Sequence, residues 1–152
     1  HHMTERTPVL FLDANILMYA LGKPHLYREP CLKILAAIEA DTIDVVTNTE
    51  VLQEILYRYR AVANPEEAER IFSLARRLCE IVLPVRLRDV DLAAALLKRH
   101  PTIQVRDAIH AATMLHAGLP RVLSTDRHFD AIKGIRRVDP IKFPRAVSVS
   151  HR

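Results

Sequence analysis

Apolar and polar positions fall into blocks that read alternately as strands and helices. Val9-Leu10-Phe11-Leu12 is a short continuous apolar run after Pro8, the pattern of a strand buried on both faces. Residues 28–40 have helical spacing, with Pro30 tolerated in the first turn. Ile43 to Val46 reads as a second short strand. Asn48 or Thr49 can then cap a helix over 49–61, whose positions 51, 52, 55, 56 and 59 share an apolar face. Pro65 opens a helix to residue 79, Ile81 to Leu83 is a strand, residues 89–99 are helical and Pro101 breaks the chain. The spacing predicts a helix over 105–117, apolar at 105, 108, 109, 112 and 115 and ending before Gly118. A strand at 121–124, a short helix at 127–132 and a last strand from Ile135 to Val138 complete the pattern. Strands alternating with helices predict a parallel sheet covered on both faces, in one α/β/α domain.

Composition narrows the class. The chain has 152 residues, 49% of them hydrophobic, which suits one domain with a real core and no need of disulfides. The expected domain covers 3–147, with a tail at 148–152, and His1 and His2 read as the end of an expression tag. No secretory signal is expected after them, and the apolar stretch 8–21 is interrupted by Asp13 and Asn15 and too short to span a bilayer. Cys31 and Cys79 form no C-x-x-C pair, so a reducing, cytoplasmic setting is expected. Three glycines, at 22, 118 and 134, leave no P-loop and no G-x-G-x-x-G phosphate cradle.

Charge is unevenly placed. Residues 1–83 hold 9 Lys/Arg against 12 Asp/Glu, a net of −3, whereas residues 84–152 hold 13 against 6, a net of +7. Arginine supplies 17 of the 22 basic residues, and its planar fork suits phosphate. A basic C-terminal half points to an anionic partner, nucleic acid first, against the alternative of a merely solvated surface.

The acids carry the sharper signal. Asp13 follows VLFL and Asp126 follows VLST, the carboxyl ends of two expected parallel strands, where open α/β sheets bind ligands. Either aspartate alone reads as a helix cap; two on separate strands favour a shared acidic site. Asp107, in the first turn of the 105–117 helix, reads alone as complementing the helix dipole. Glu50 and Glu54 lie one turn apart, and Glu54 stands four residues before Arg58, an ordinary surface pair; spacing does not say whether Glu54 faces a cleft or water. Three or four clustered carboxylates would bind one or two hard divalent ions, which activate water against a phosphodiester. An acidic centre with a basic surround is the physical logic of a metal-dependent nuclease.

Four stretches in order complete the picture: FLDANILMYA, TNTEVLQEILYRY, RDAIHAATMLHAG and VLSTDRHF. Together they resemble the PIN-domain family, and within it the VapC-type toxins of toxin–antitoxin pairs. The resemblance covers about residues 9 to 140. It implies a three-layer α/β/α fold with a central parallel sheet of four to five strands. By its register Asp13, Glu54, Asp107 and Asp126 are the metal ligands and catalytic acids, with Asn15 and Ser124 orienting carboxylates or water. His128 stands where the family often has a further aspartate, so Asp130 and Glu50 are the accessory candidates. Arg106, Arg127 and His128 are the expected RNA contacts, while His110 and His116 read as structural. Tyr57, Tyr59 and Phe129 are the aromatic candidates for stacking bases, the first two equally readable as core or dimer contacts.

The activity implied is a Mg²⁺- or Mn²⁺-dependent endoribonuclease, a homodimer without membrane association, neutralised by a cognate antitoxin protein. The competing readings are a stand-alone PIN ribonuclease and a non-catalytic module binding RNA or protein. A haloacid-dehalogenase phosphatase also opens on a strand followed by Asp, but its chemistry wants a second aspartate where Asn15 stands.

Overall fold

The computed structural model describes residues 7–62 and 64–143. The expected tag residues 1–2, both edges of the expected 3–147 domain and the expected 148–152 tail lie outside the described residues. Five strands, β1 (Val9–Leu12), β2 (Asp44–Asn48), β3 (Ile81–Leu83), β4 (Arg121–Leu123) and β5 (Arg136–Val138), make one sheet in the order β3-β2-β1-β4-β5. Every pairing is parallel, and Phe11 lies between Val46 on one side and Val122 on the other. The apolar run at 9–12 therefore becomes the central strand, with Leu10, Phe11 and Leu12 fully buried.

Six helices connect the strands: α1 (Ala14–Ala20), α2 (Arg28–Glu39), α3 (Thr49–Ala61), α4 (Pro65–Leu78), α5 (Leu87–Arg99) and α6 (Val105–Ala117). The α1–α2 and α3–α4 crossovers step outward from β1 to β2 to β3, whereas α5–α6 step back across to β4. Right-handed crossovers running in opposite directions place the two sets on opposite faces. None of the described helices is long and apolar enough to cross a membrane.

Most element boundaries agree with the sequence pattern to within one or two residues. Asn48 is the cap of α3, accepting from the Val51 N–H at 2.9 Å, and α6 ends as expected before Gly118, whose φ of 72° needs the missing Cβ. Four differences have physical causes. Helix α1 was not expected, because ANILMYA reads as a continuation of the apolar run; Asp13 accepts the Ala14 N–H at 2.7 Å and starts it. Strand β2 begins later and extends to Asn48, since β3 continues to pair with it through Leu83. Helix α5 starts at Leu87 rather than residue 89, the Asp89 carboxylate receiving the Arg86 N–H. The turn at Arg127–Ala131 is 3₁₀ rather than α.

The α6 face is also wider than expected. Every residue from Asp107 to Met114 is buried, because Ala108, Ala111 and Ala112 let neighbours close in, whereas Val105 is exposed.

Strands β1 and β4 are adjacent, but the chain leaves them in different directions, β1 toward β2 and β4 toward β5. Such a switch point opens a crevice beyond the strands' carboxyl ends. Asp13 directly follows β1, and Asp126 stands three residues after the end of β4.

Candidate metal centre

Each of the three aspartates serves as a local cap and also faces this crevice. Asp13 takes the Ala14 N–H on Oδ1, Asp107 takes the Gln104 N–H on Oδ2 at 3.2 Å, and Asp126 takes the His128 N–H on Oδ1 at 2.9 Å. The local capping bonds and the position at the crevice thus belong to the same side chains.

Ser124 ties Asp13 to the β4 loop. Its hydroxyl donates to Asp13 Oδ2 at 2.7 Å and accepts from the Asp126 N–H at 2.9 Å. Asn15, oriented by the Thr125 N–H on its Oδ1, donates to Asp13 Oδ2 and to Ser124 Oγ, each at 3.2 Å. One buried hydroxyl and one amide therefore fix the spacing between two loops that are 111 residues apart in sequence.

Glu54 is held by His110, which the sequence did not place in the site. The ring is fully buried on α6, in contact with Phe11 and Phe129, and its Nε2 lies 3.0 Å from Glu54 Oε1 and 3.8 Å from Asp13 Oδ1. The Val51 N–H fixes Asn48 Oδ1, so the Asn48 amide N–H groups point to Thr113 Oγ1 at 2.9 Å and His110 Nδ1 at 3.1 Å. Burial opposes a charge on the ring, while Glu54, Asp13 and Asp107 favour one and raise its pKa. The amide N–H facing Nδ1 decides the matter: that nitrogen is an acceptor, and the single ring proton sits on Nε2 and is donated to Glu54. Glu54 does not pair with Arg58; its other oxygen takes Arg106 Nε at 3.1 Å.

Asp107 and Asp126 face one another beside His128, whose Nδ1 lies 3.0 Å from Asp126 Oδ1 and 3.3 Å from Asp107 Oδ2. These contacts are misaligned for hydrogen bonding, and Nδ1 is buried without a partner although the ring is 40% exposed. Burial first, then the hydrogen bond and charge of Asp126, push the Asp107 carboxyl up to about 7. Burial likewise raises Asp13, with Glu54 adding and His110 and Ser124 opposing.

The ligand atoms of Asp13, Glu54 and His110 lie within 4.8 Å of one another, as do those of Asp107, Asp126 and His128. The four acids that the motifs imply thus fall into two groups of ligand atoms, each with one histidine. They adjoin, since the Asp13 charge acts on Asp107 and the Asp107 charge acts on His110. Among the described residues no Lys or Arg pairs with Asp13, Asp107 or Asp126. Buried carboxylates raised in pKa, with an orphaned imidazole nitrogen beside them, are short of positive charge and suit a divalent cation.

A cleft of about 610 Å³ opens beside Asp13 and Glu54, between α1, α3 and the start of α6. Glu50, Tyr57, Arg58 and Arg106 line it, and Glu50 is raised by its own burial first. Arg127 is exposed on the neighbouring 3₁₀ turn. Asp130 is not brought to the acids: both its oxygens accept from Arg137, at 3.0 and 3.2 Å. Phe129 is fully buried and Tyr59 packs against the core, so neither offers a face to a base; Tyr57 is 70% exposed and does.

The family model described as PIN domain matches residues 10–135. Ribonuclease VapC13 of Mycobacterium tuberculosis is 35% identical over 130 residues, covering 86% of this chain and 99% of that protein. Among solved structures, the M. tuberculosis sarcin-ricin loop cleaving toxin VapC20 superposes with a TM-score of 0.64 at 18% identity, covering 84% of this chain and 98% of that one. A toxin–antitoxin complex from Klebsiella pneumoniae gives a TM-score of 0.61 at 17% identity, covering 86% and 97%. The chain belongs to the PIN-domain family, on the branch of the VapC ribonucleases.

Proposed function

We propose that this protein is a divalent-metal-dependent endoribonuclease, the toxin of a type II toxin–antitoxin pair. The observation that carries the reading is the convergence of Asp13, Glu54, Asp107 and Asp126, from four separate segments, on the crevice beside β1 and β4. These four acids hold the metal, Mg²⁺ or Mn²⁺. When bound, the cation lowers the pKa of a water and stabilises in-line displacement at a phosphodiester.

The chain's own groups do the rest. Ser124 and Asn15 keep Asp13 aimed, and the Nε2–H of His110 keeps Glu54 aimed. Arg106 and Arg58 on the cleft and Arg127 beside it hold the phosphates of a single-stranded or looped RNA, with Tyr57 available to stack on a base. The 35% identity to a named VapC ribonuclease supports this substrate class. Residues 3–147 act as one domain in a cytoplasmic homodimer, and an antitoxin protein occupies the groove when the toxin is silent; the toxin–antitoxin neighbour supports that partner.

The test is cleavage of labelled structured RNA and matched single-stranded DNA with Mg²⁺, Mn²⁺ or EDTA, with Asp13→Asn protein purified identically. Metal-dependent RNA cutting lost in the variant is the expected result. Cutting that persists in Asp13→Asn would overturn the reading.

A further inference from the structure

The two histidines in the centre have opposite hydrogen-bond arrangements, and the difference assigns their roles. In His110 one nitrogen accepts from Asn48 and the other donates to Glu54, so neither has a free lone pair for a cation. A histidine that ligates a metal normally donates its second nitrogen to an acceptor, which is the reverse of what Asn48 offers. In His128 the buried nitrogen, Nδ1, has no hydrogen-bond partner, and the other edge of the ring faces outward on a side chain 40% exposed. That outward edge can carry the ring proton toward water, leaving the Nδ1 lone pair inside the centre.

The distances agree with ligation. Nδ1 stands 3.0 Å from Asp126 Oδ1 and 3.3 Å from Asp107 Oδ2. Neighbouring donors of an octahedral ion sit √2 bond lengths apart, about 3 Å for bonds of about 2.1 Å. Nδ1 therefore stands from each carboxylate oxygen at the spacing of neighbouring donors in one coordination shell, with no hydrogen bond to either.

We propose that His128 is a metal ligand through Nδ1, making a mixed nitrogen–oxygen centre with Asp107 and Asp126 that prefers a borderline transition ion such as Mn²⁺ to Mg²⁺. The preference follows from ligand chemistry, since imidazole binds first-row transition ions well and Mg²⁺ strongly favours oxygen. The proposal rests on the metal-dependent reading above. It moves His128 from the RNA surface to the metal.

The experiment uses the whole chain with Mn²⁺ as the probe, in electron spin-echo envelope modulation and in calorimetric titration with Mn²⁺ and Mg²⁺. Wild type is expected to show modulation from a directly bound ¹⁴N that disappears in His128→Ala and in His128→Gln. Both variants keep His1 and His2, so those two histidines cannot produce the difference. Mn²⁺ affinity is expected to fall by about tenfold or more in the variants, with Mg²⁺ affinity changed far less. Mn²⁺ bound without nitrogen modulation, or with modulation that survives both variants, would overturn the assignment and leave the acidic metal site intact. No Mn²⁺ binding by wild type would overturn the metal reading itself, and this proposal with it.

Discussion

Replacing Asp107 by Asn should make the metal-free protein more stable while removing its activity. Asp107 is 1% exposed, and its carboxyl is pushed up to about 7 by burial and by Asp126, against 3.8 in an unfolded chain. Folding above pH 7 must therefore hold an ionised carboxylate that the native site disfavours, at a cost of up to about 4 kcal/mol. The cost is absent below about pH 4, grows as pH rises, and is complete above the native value. Asn carries no charge, still offers an oxygen to the Gln104 N–H, and offers Asp126 an N–H in place of a carboxylate. With half the ceiling recovered, about 2 kcal/mol, the melting temperature in EDTA at pH 8 should rise by about 4 to 8 °C. The gain should shrink by more than half at pH 5. In saturating Mn²⁺ the order should reverse, because only wild type gains full binding free energy. Differential scanning calorimetry of both proteins under these three conditions is the assay. A variant that melts below wild type in EDTA at pH 8, or a gain that does not depend on pH, would refute the reasoning.

Other expected outcomes follow from the same geometry. Asp13→Asn should abolish metal-dependent RNA cleavage and melt near or above wild type, since burial raises that carboxyl too; a gel cleavage assay with a parallel melt checks both. Asn48→Ala removes the α3 cap and the donor to His110 together and should cost about 2 to 3 kcal/mol, read by urea denaturation. Asp89, buried between α5 and α6, is pushed up by burial, but the Arg86 N–H at 2.9 Å and His116 Nδ1 at 2.6 Å outweigh it and lower its pKa. Its contribution is present above about pH 4 and lost as pH falls through the lower native value. Asp89→Asn should therefore destabilise by about 1 to 3 kcal/mol at pH 7, lose that difference progressively as pH falls below about 4, and leave cleavage unchanged.

The sequence alone was enough for the strand–helix alternation, because period and punctuation are local: the apolar run at 9–12, the Asn48 cap and the glycine after α6 each act within a few residues. The motif order also singled out Asp13, Glu54, Asp107 and Asp126, together with Asn15 and Ser124, all of which lie at one crevice. Helix α1 escaped because ANILMYA has almost no polar face, so the same apolar string serves as strand or buried helix.

What only the tertiary structure decided is the partner of each side chain. Spacing left Glu54 open between a surface pair with Arg58 and a cleft; the fold gave it to His110 and Arg106, from a helix more than fifty residues away. His110 and His128 carry the same ring, and nothing local distinguishes them. One is fully buried with an amide donor against Nδ1, the other has Nδ1 buried between two carboxylates and no partner. Asp130 looked available next to the acids until β5 brought Arg137 across to bind it. Secondary structure follows from contacts a few residues apart, which the chain specifies locally. Charge, tautomer and coordination depend on which groups meet across β1, β4 and α6, and only folding brings those together.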